Sequence, residues 1–125
     1  MIKPTEAELA ILQILWDRNE ASVKEVHDIL NQNREDEKAY TTTLKTLQIM
    51  TEKGFVLREA EGRKHIYRAA IRKEDTQRHL LRELILSAYS GSATAMVLQA
   101  LGSSKPSEEE LAEIRAIIDQ MQSKK

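Results

Sequence analysis

The sequence predicts a mainly helical fold of the α+β class, with three helices and a β-hairpin in residues 1–73 and a helical region in residues 74–125. Three Ser/Thr-x-x-Glu capping boxes each precede apolar residues at helical spacing. Residues 55–59 and 65–69 are rich in β-branched and aromatic side chains and flank a turn that contains Gly62. Breaks that contain glycine then divide the remaining chain into three helical segments.

The first two helices are predicted by their capping boxes, Thr5-x-x-Glu8 and Ser22-x-x-Glu25. In each, apolar residues follow at helical spacing and are expected to face a core: Leu9, Leu12, Leu15 and Trp16, then Val23, Val26, Ile29 and Leu30. The polar stretch 31–38 is predicted as a loop.

A third helix is predicted from about Ala39, with Tyr40, Leu44, Leu47 and Met50 on one stripe. Gly54 is expected to provide its left-handed C-terminal cap. The hairpin follows directly. Three helices followed by a β-hairpin is the element order of a winged helix-turn-helix domain.

The tail is predicted to be helical from about Asp75, with breaks at 90–92 and 102–106, a short helix at 95–101 and a last helix after Ser107. Because it is too short for an independent core and too apolar to remain single, we expect it to pair with a second chain. The expected dimerisation residues are Leu80, Leu84, Val97, Leu101, Leu111, Ile114, Ile118 and Met121. The alternative is a monomer whose tail folds back on its own winged helix.

The composition excludes several kinds of functional site. The 125 residues are 41% hydrophobic and 31% charged, and they include no cysteine, which excludes disulfides, thiolate metal sites and cysteine nucleophiles. The apolar stretches are shorter than the ~20 residues that span a bilayer, and no targeting segment is visible. We therefore expect a soluble, cytoplasmic protein that does not insert into membranes.

The charges are segregated along the chain. Lys and Arg number 4 against 9 Asp and Glu in residues 1–37, 9 against 3 in residues 38–73, and 6 against 8 in residues 74–125. A basic centre between acidic ends predicts that one local surface meets a polyanion.

The polar face of the third helix differs from an ordinary solvated face, because it carries Thr41, Thr42, Lys45, Thr46 and Gln48. Threonine is a poor helix former, so four of them in residues 41–46 indicate selection for another property. Contact with DNA is one such property, since hydroxyls reach phosphate or base edges and lysine reaches phosphate or guanine. The alternative is a threonine-rich helix start with incidental exposure.

The hairpin offers a second basic site. Arg63 and Lys64 follow Gly62 at its tip, with Arg58 and Arg68 on the flanking strands. Such a wing is expected to grip the DNA backbone or the minor groove. An ordinary solvated turn is the alternative.

No pattern predicts catalysis, a cofactor or a metal site. His27, His65 and His79 are scattered and form no metal-ligand spacing, so structural or surface roles are expected. No nucleophile elbow or glycine-rich phosphate loop is present in the sequence. We therefore expect a binding protein and not an enzyme.

Several segments together resemble the penicillinase repressor family of winged-helix transcriptional repressors. They are T-x-x-E-x-x-I-L-x-x-L-W at residues 5–16, A-S-V-K-E-V at 21–26, Y-T-T-T-L at 40–44, E-G-R-K-H-I-Y at 61–67 and Y-S-G at 89–91. The resemblance covers nearly the whole chain and implies a homodimer that binds a dyad operator, with the third helix in the major groove.

Carried over to this sequence, the resemblance implies DNA contacts at Tyr40, Thr41, Thr42, Thr43, Lys45, Thr46, Arg63 and Lys64. It also implies relief of repression by an upstream signal such as proteolysis, with a membrane sensor-protease as partner. The family's β-lactam-responsive members are cleaved at an Asn-Phe bond, and the matching positions here are Gln99 and Ala100. Copper-responsive members use C-terminal cysteines, which this chain lacks, so copper sensing is not expected.

The alternative function is a winged-helix adaptor that binds proteins and not DNA, since the fold does not itself guarantee DNA contact.

Overall fold

The computed structural model describes residues 2–32 and 39–124. The chain divides into two compact units, one up to Leu80 and one from Leu81 onward. The elements follow in the order α1 (Glu6–Arg18), β1 (Ala21–Ser22), α2 (Val23–Asn31), α3 (Tyr40–Lys53), β2 (Val56–Glu61), β3 (Lys64–Ala69), α4 (Lys73–Ala88), α5 (Ala93–Ser104) and α6 (Glu108–Ser123). Most of the predicted loop at 31–38 lies outside the described residues.

All three predicted capping boxes are confirmed. The Thr5, Ser22 and Ser107 hydroxyls each accept a hydrogen bond from the backbone amide of the glutamate three residues later. Each glutamate carboxylate in turn accepts from the backbone amide of its capping residue. These reciprocal bonds satisfy amides that a helix start leaves without partners, which is why α1, α2 and α6 begin where they do.

The sheet has three antiparallel strands in the order β1-β3-β2, one more than the predicted hairpin. The third is β1, which pairs Ala21 with Tyr67. The hairpin strands pair from Val56 opposite Ala69 to Glu61 opposite Lys64, so the turn falls at Gly62 and Arg63. Gly62 has φ 65, which a glycine adopts without strain.

The core of the first unit is formed by α1, α2, α3 and the sheet. Its largest fully buried apolar side chains are Ile11, Leu12, Leu15, Val26, Leu47, Met50, Val56 and Tyr67. Trp16 closes one edge by donating its Nε1 proton to the Ile71 carbonyl at 3.0 Å. The core stripe predicted for α3 is confirmed at Leu47 and Met50, but Tyr40 is 46% exposed, because it is the first residue of the helix and lies beyond the packed turns.

In the second unit, no described side chain from Leu81 onward is fully buried. The predicted break at residues 102–106 begins later than expected, because α5 continues through Gly102 and ends at Ser104, with its C-cap Lys105 at φ 47. Within the described residues, no single helix is long and apolar enough to cross a bilayer, and only α4 and α5 taken together across their bend have such a length and composition.

Candidate nucleic-acid interface

The first component of the site is the exposed face of α3. Thr43, Leu47 and Met50 are buried at spacings of four and three residues, which orients one face of the helix toward the core. The other faces expose Thr41, Thr42 and Lys45, and Tyr40, which has the spacing of the buried face, is exposed because it begins the helix. Three of the predicted contacts therefore lie on the solvent side of α3, with the exposed Tyr40 at its start.

Thr43 does not belong to this face, although the resemblance implied a DNA contact there. It is 1% exposed, and its Oγ1 lies 3.1 Å from Nδ1 of His27 on α2. The structure thus corrects this position: its hydroxyl joins the two helices inside the domain and has no access to DNA. Thr46 is half-buried, and its hydroxyl donates to the Thr42 carbonyl at 2.9 Å within the same helix.

His27 also supports the start of α3. Its ring meets the Tyr40 ring edge to face, with centroids 5.5 Å apart and an interplanar angle of 73°. Aromatic pairs favour this arrangement, so the contact restricts where the tyrosine ring lies. One histidine on α2 therefore holds both a buried threonine and an exposed tyrosine of α3, and its role here is structural.

The second component is the hairpin tip. Arg63 and Lys64 are exposed at the turn, and neither forms an ion pair with any of the described residues. Arg68, farther along β3, differs because its guanidinium lies 3.3 Å from Glu20 and 3.9 Å from Glu59. The cations at the tip are thus available to an external anion, whereas Arg68 is already paired with carboxylates.

A surface depression of about 360 Å³ brings the two components together. It is lined by Ser22, Val23, Lys24, Glu25, Asp28, Tyr40, Arg63 and Lys64. The wing cations and the start of α3 therefore border one concave surface, although they are distant in sequence. Lys24 adds a cation that was not predicted from the sequence, because only the tertiary fold places the start of α2 beside the hairpin.

The carboxylates of Glu25 and Asp28 also border this depression, and that of Glu25 is held by hydrogen bonds. Glu25 accepts from the Ser22 amide at 3.0 Å and from Arg18 at 2.8 Å. The hydrogen bonds from the Ser22 backbone and hydroxyl, together with Arg18, lower the pKa of Glu25. Its charge is directed at these partners, which reduces its repulsion of a polyanion.

The remaining predicted residues lie in the tail. Leu84, Val97, Leu111, Ile118 and Met121 are exposed, the last at 71%, and Leu80, Leu101 and Ile114 are half-buried. Gln99 and Ala100 are exposed within α5. Among the described residues, no group of three or more His, Asp or Glu side chains could hold a metal ion.

Three helices, a three-stranded sheet and an exposed basic hairpin beside the third helix define a winged-helix protein, as the sequence predicted. The model of the penicillinase repressor family matches residues 4–120. The chain therefore belongs to the penicillinase repressor family, which consists of DNA-binding transcriptional repressors and not of enzymes. This confirms the resemblance seen in the sequence.

One curated protein and two solved structures are similar to this chain to different degrees. The penicillinase repressor of Bacillus licheniformis is 26% identical over 125 residues, which cover 97% of this chain and 93% of that protein. The X-ray structure of the YusO protein from Bacillus subtilis has a TM-score of 0.51 at 15% identity and covers 98% of this chain and 77% of that chain, which shows a shared fold. The crystal structure of M. tuberculosis Rv0081 has a TM-score of 0.48 at 20% identity, over 70% of this chain and 81% of that chain.

Proposed function

We propose that this repressor binds a dyad operator as a homodimer, with α3 in the major groove and the hairpin on the DNA backbone. The observation that carries the proposal is the shared depression bordered by Tyr40, Lys24 and the two wing cations. Family membership supports DNA as the partner. Two half-sites one helical turn apart would match the twofold symmetry of such a dimer.

On α3 we assign the direct contacts to the exposed side chains. Thr41 and Thr42 lie in the first turn, where short side chains approach base edges, and a threonine methyl also suits the thymine methyl group. Lys45 lies one turn later on the same exposed face and reaches phosphate or guanine. Thr46 contributes less, because it is half-buried and its hydroxyl proton is bound within the helix.

For the wing we assign a backbone-gripping role to Arg63 and Lys64, joined by Lys24. The three cations border one concavity and form no ion pair within the described part of the chain. Phosphate contacts of this kind fix the register of a protein on the duplex without selecting a sequence. Specificity is then assigned to α3 and affinity largely to the wing.

Self-association is supported by the apolar surface of the tail, residues 74–125. Its helices expose Leu84, Val97, Leu111, Ile118 and Met121 in the single chain. Large apolar side chains that recur along a helix face favour burial against a partner, and a second copy presents the same stripes. We therefore keep the predicted division into a DNA-binding domain at 1–73 and a dimerisation region at 74–125 as part of the proposal.

Relief of repression is proposed to follow cleavage near Gln99 and Ala100 by a membrane sensor-protease. Both residues are exposed, which gives a protease access, but they lie inside α5, so cleavage requires that this helix open locally. Removal of α6 would then weaken the dimer without altering the DNA-contacting face.

Binding to DNA is tested by fluorescence anisotropy of a labelled random-sequence duplex at low and moderate salt. We expect the affinity to fall steeply with salt, since cations that neutralise phosphates release counterions. A protein-binding adaptor would show weak binding with little salt dependence, and that result would contradict the proposal.

The dimer is tested with a DNA duplex whose sequence has been selected from a random pool by binding to the wild-type protein. Ile118→Asp places a charge in the apolar stripe of α6, whereas Ala116→Asp places the same charge on another face of that helix and serves as control. We expect only the first to yield monomers in sedimentation and to lose ~10²–10⁴-fold in affinity, the advantage of two linked half-sites. If the Ile118→Asp protein remains dimeric and binds the duplex as tightly as the wild type, pairing does not use this stripe.

A further inference from the structure

The depression shared by α2, α3 and the hairpin tip contains a carboxylate whose charge opposes the proposed function of that surface. Asp28, on α2, is exposed and lines this depression. The same surface is lined by Tyr40 and by the cations Lys24, Arg63 and Lys64. Because these cations are proposed to meet phosphate, a negative charge among them weakens the attraction that they provide.

The two carboxylates at this surface differ in how their charges are balanced. Glu25 accepts a hydrogen bond from the Ser22 amide at 3.0 Å, and its other oxygen lies 2.8 Å from the Arg18 guanidinium. Asp28, by contrast, forms no ion pair with any residue in the described ranges. Lys24 lies one helical turn before it, but the two side chains are not paired. The charge of Asp28 therefore acts on whatever enters the depression.

The stability of α2 does not explain an aspartate at this position. Asp28 lies in the last turn of the helix Val23–Asn31, where the negative end of the helix dipole disfavours a negative charge. Aspartate is also a poor helix former, and this turn contains no basic residue that would offset its charge. We therefore expect Asp28→Asn to leave the helix folded, so that its effects on DNA binding can be measured separately.

A carboxylate in the depression repels phosphate whatever the DNA sequence. A contact between like charges at about 4 Å in water is worth roughly a fivefold change in affinity. Salt screens such a contact over a Debye length of about 10 Å at about 0.1 M. The cations attract the DNA backbone, whereas Asp28 disfavours every alignment that places a phosphate beside it. The carboxylate consequently restricts the alignments in which the cations can hold DNA.

This restriction affects random DNA and an operator differently. Random-sequence DNA is held by phosphate contacts alone, so many alignments contribute to its binding. On an operator, the contacts of α3 with base edges select one alignment. If that alignment keeps phosphate away from Asp28, the carboxylate lowers the affinity for random DNA more than the affinity for the operator. Repulsion of unwanted partners is a general source of specificity.

We propose that Asp28 is a specificity-determining residue, whose carboxylate repels phosphate from the depression and thereby suppresses binding to random DNA. The inference rests on the function proposed above, because it assumes that α3 selects a sequence and that the depression faces the DNA backbone. Its removal should raise DNA affinity, which is the opposite of what the loss of a DNA contact would do.

The test measures the affinity of the wild type and of Asp28→Asn for two duplexes, one of random sequence and one selected from a random pool by the wild-type protein. We expect the affinity for the random duplex to rise roughly fivefold. The affinity for the selected duplex should rise less, so the ratio of the two affinities falls. The gain on the random duplex should shrink as salt is raised, because salt screens the repulsion that the variant removes.

Two further variants separate the charge at this site from other effects. Asp28→Glu keeps the charge and should keep both affinities close to those of the wild type. Asp119→Asn removes the same charge from an exposed position on α6 and should leave the ratio unchanged, which would exclude an effect of net charge alone. All measurements are made at a temperature where circular dichroism shows every variant to be folded.

Three outcomes would overturn the proposal. Unchanged affinities in Asp28→Asn would show that the carboxylate does not face the DNA backbone. An equal gain on both duplexes would show that it weakens binding without favouring a sequence. A loss confined to the selected duplex would show that it accepts a hydrogen bond from a base amino group. If the wild type itself shows no salt-dependent binding or selects no sequence, the repressor proposal fails first, which distinguishes the two failures.

Discussion

The wing cations offer the most direct quantitative test of DNA binding. Replacing Arg63 and Lys64 by alanine removes two exposed charges and leaves the turn glycine in place. Each phosphate contact contributes about 0.9 to the slope of log K against log salt, so one bound wing should account for about 1–2 of that slope. A dimer on two half-sites should lose about twice as much, roughly 2–4.

The assay is an anisotropy titration of one duplex at several salt concentrations between about 50 and 200 mM. Arg68→Ala is the control, because Arg68 lies on the same hairpin but is already paired with Glu20 and Glu59. We expect the control to keep the wild-type slope. An unaltered slope in the double variant would refute the role of the wing, and an equal loss in Arg68→Ala would refute the distinction between paired and unpaired cations.

Three further predictions concern the folded domain and use urea or thermal unfolding. The pKa of Glu8 is lower in the folded protein than its value of about 4.5 in the unfolded chain, so its contribution to stability is present above pH 4.5 and is lost as the pH falls through the folded pKa. Glu8→Gln should therefore flatten the dependence of the unfolding free energy on pH below about 4.5. An unchanged pH dependence would contradict this. Thr43→Val should cost about 1 kcal/mol by removing the bond to His27, with no loss of DNA affinity in the folded protein; weaker binding would show that Thr43 does meet DNA. Gly54→Ala should cost about 1–2 kcal/mol, because φ 81 is left-handed, and an unchanged melting temperature would exclude this strain.

The features that the sequence predicted well depend on contacts between near neighbours. A capping box joins residues three apart, so Thr5, Ser22 and Ser107 could each be recognised without knowledge of the fold. The left-handed cap at Gly54 is equally local. The order of three helices and a hairpin then followed from elements whose signals do not depend on their partners.

The features that were missed depend on distant partners. Strand β1 has only two residues, too few to show alternation, and it exists because Ala21 pairs with Tyr67. At Gly102 the helix continues although glycine is a poor helix former, because propensity alone does not end a helix. The approach of Lys24 to the wing is also tertiary, since nothing in the local sequence places the hairpin beside α2.

Thr43 is a different case, because its burial could have been recognised. It precedes Leu47 by four residues and Met50 by seven, the spacing of one helix face, and all three are buried. The resemblance assigned it to DNA together with its threonine neighbours, whereas helical periodicity separates it from them. At Thr43, the family resemblance predicted a DNA contact and the helical periodicity predicted burial, and the structure agrees with the periodicity.

The division of roles between the two regions has a consequence for how such a repressor is controlled. The proposed DNA contacts all belong to the first unit, which buries a core of its own. If the tail pairs as proposed, burial of its large exposed side chains against a second copy would link its stability to its pairing. Loss of pairing would therefore leave the contact surface intact and lower affinity only through the lost second half-site. A signal acting on the tail can on this basis release DNA without changing any residue that touches it.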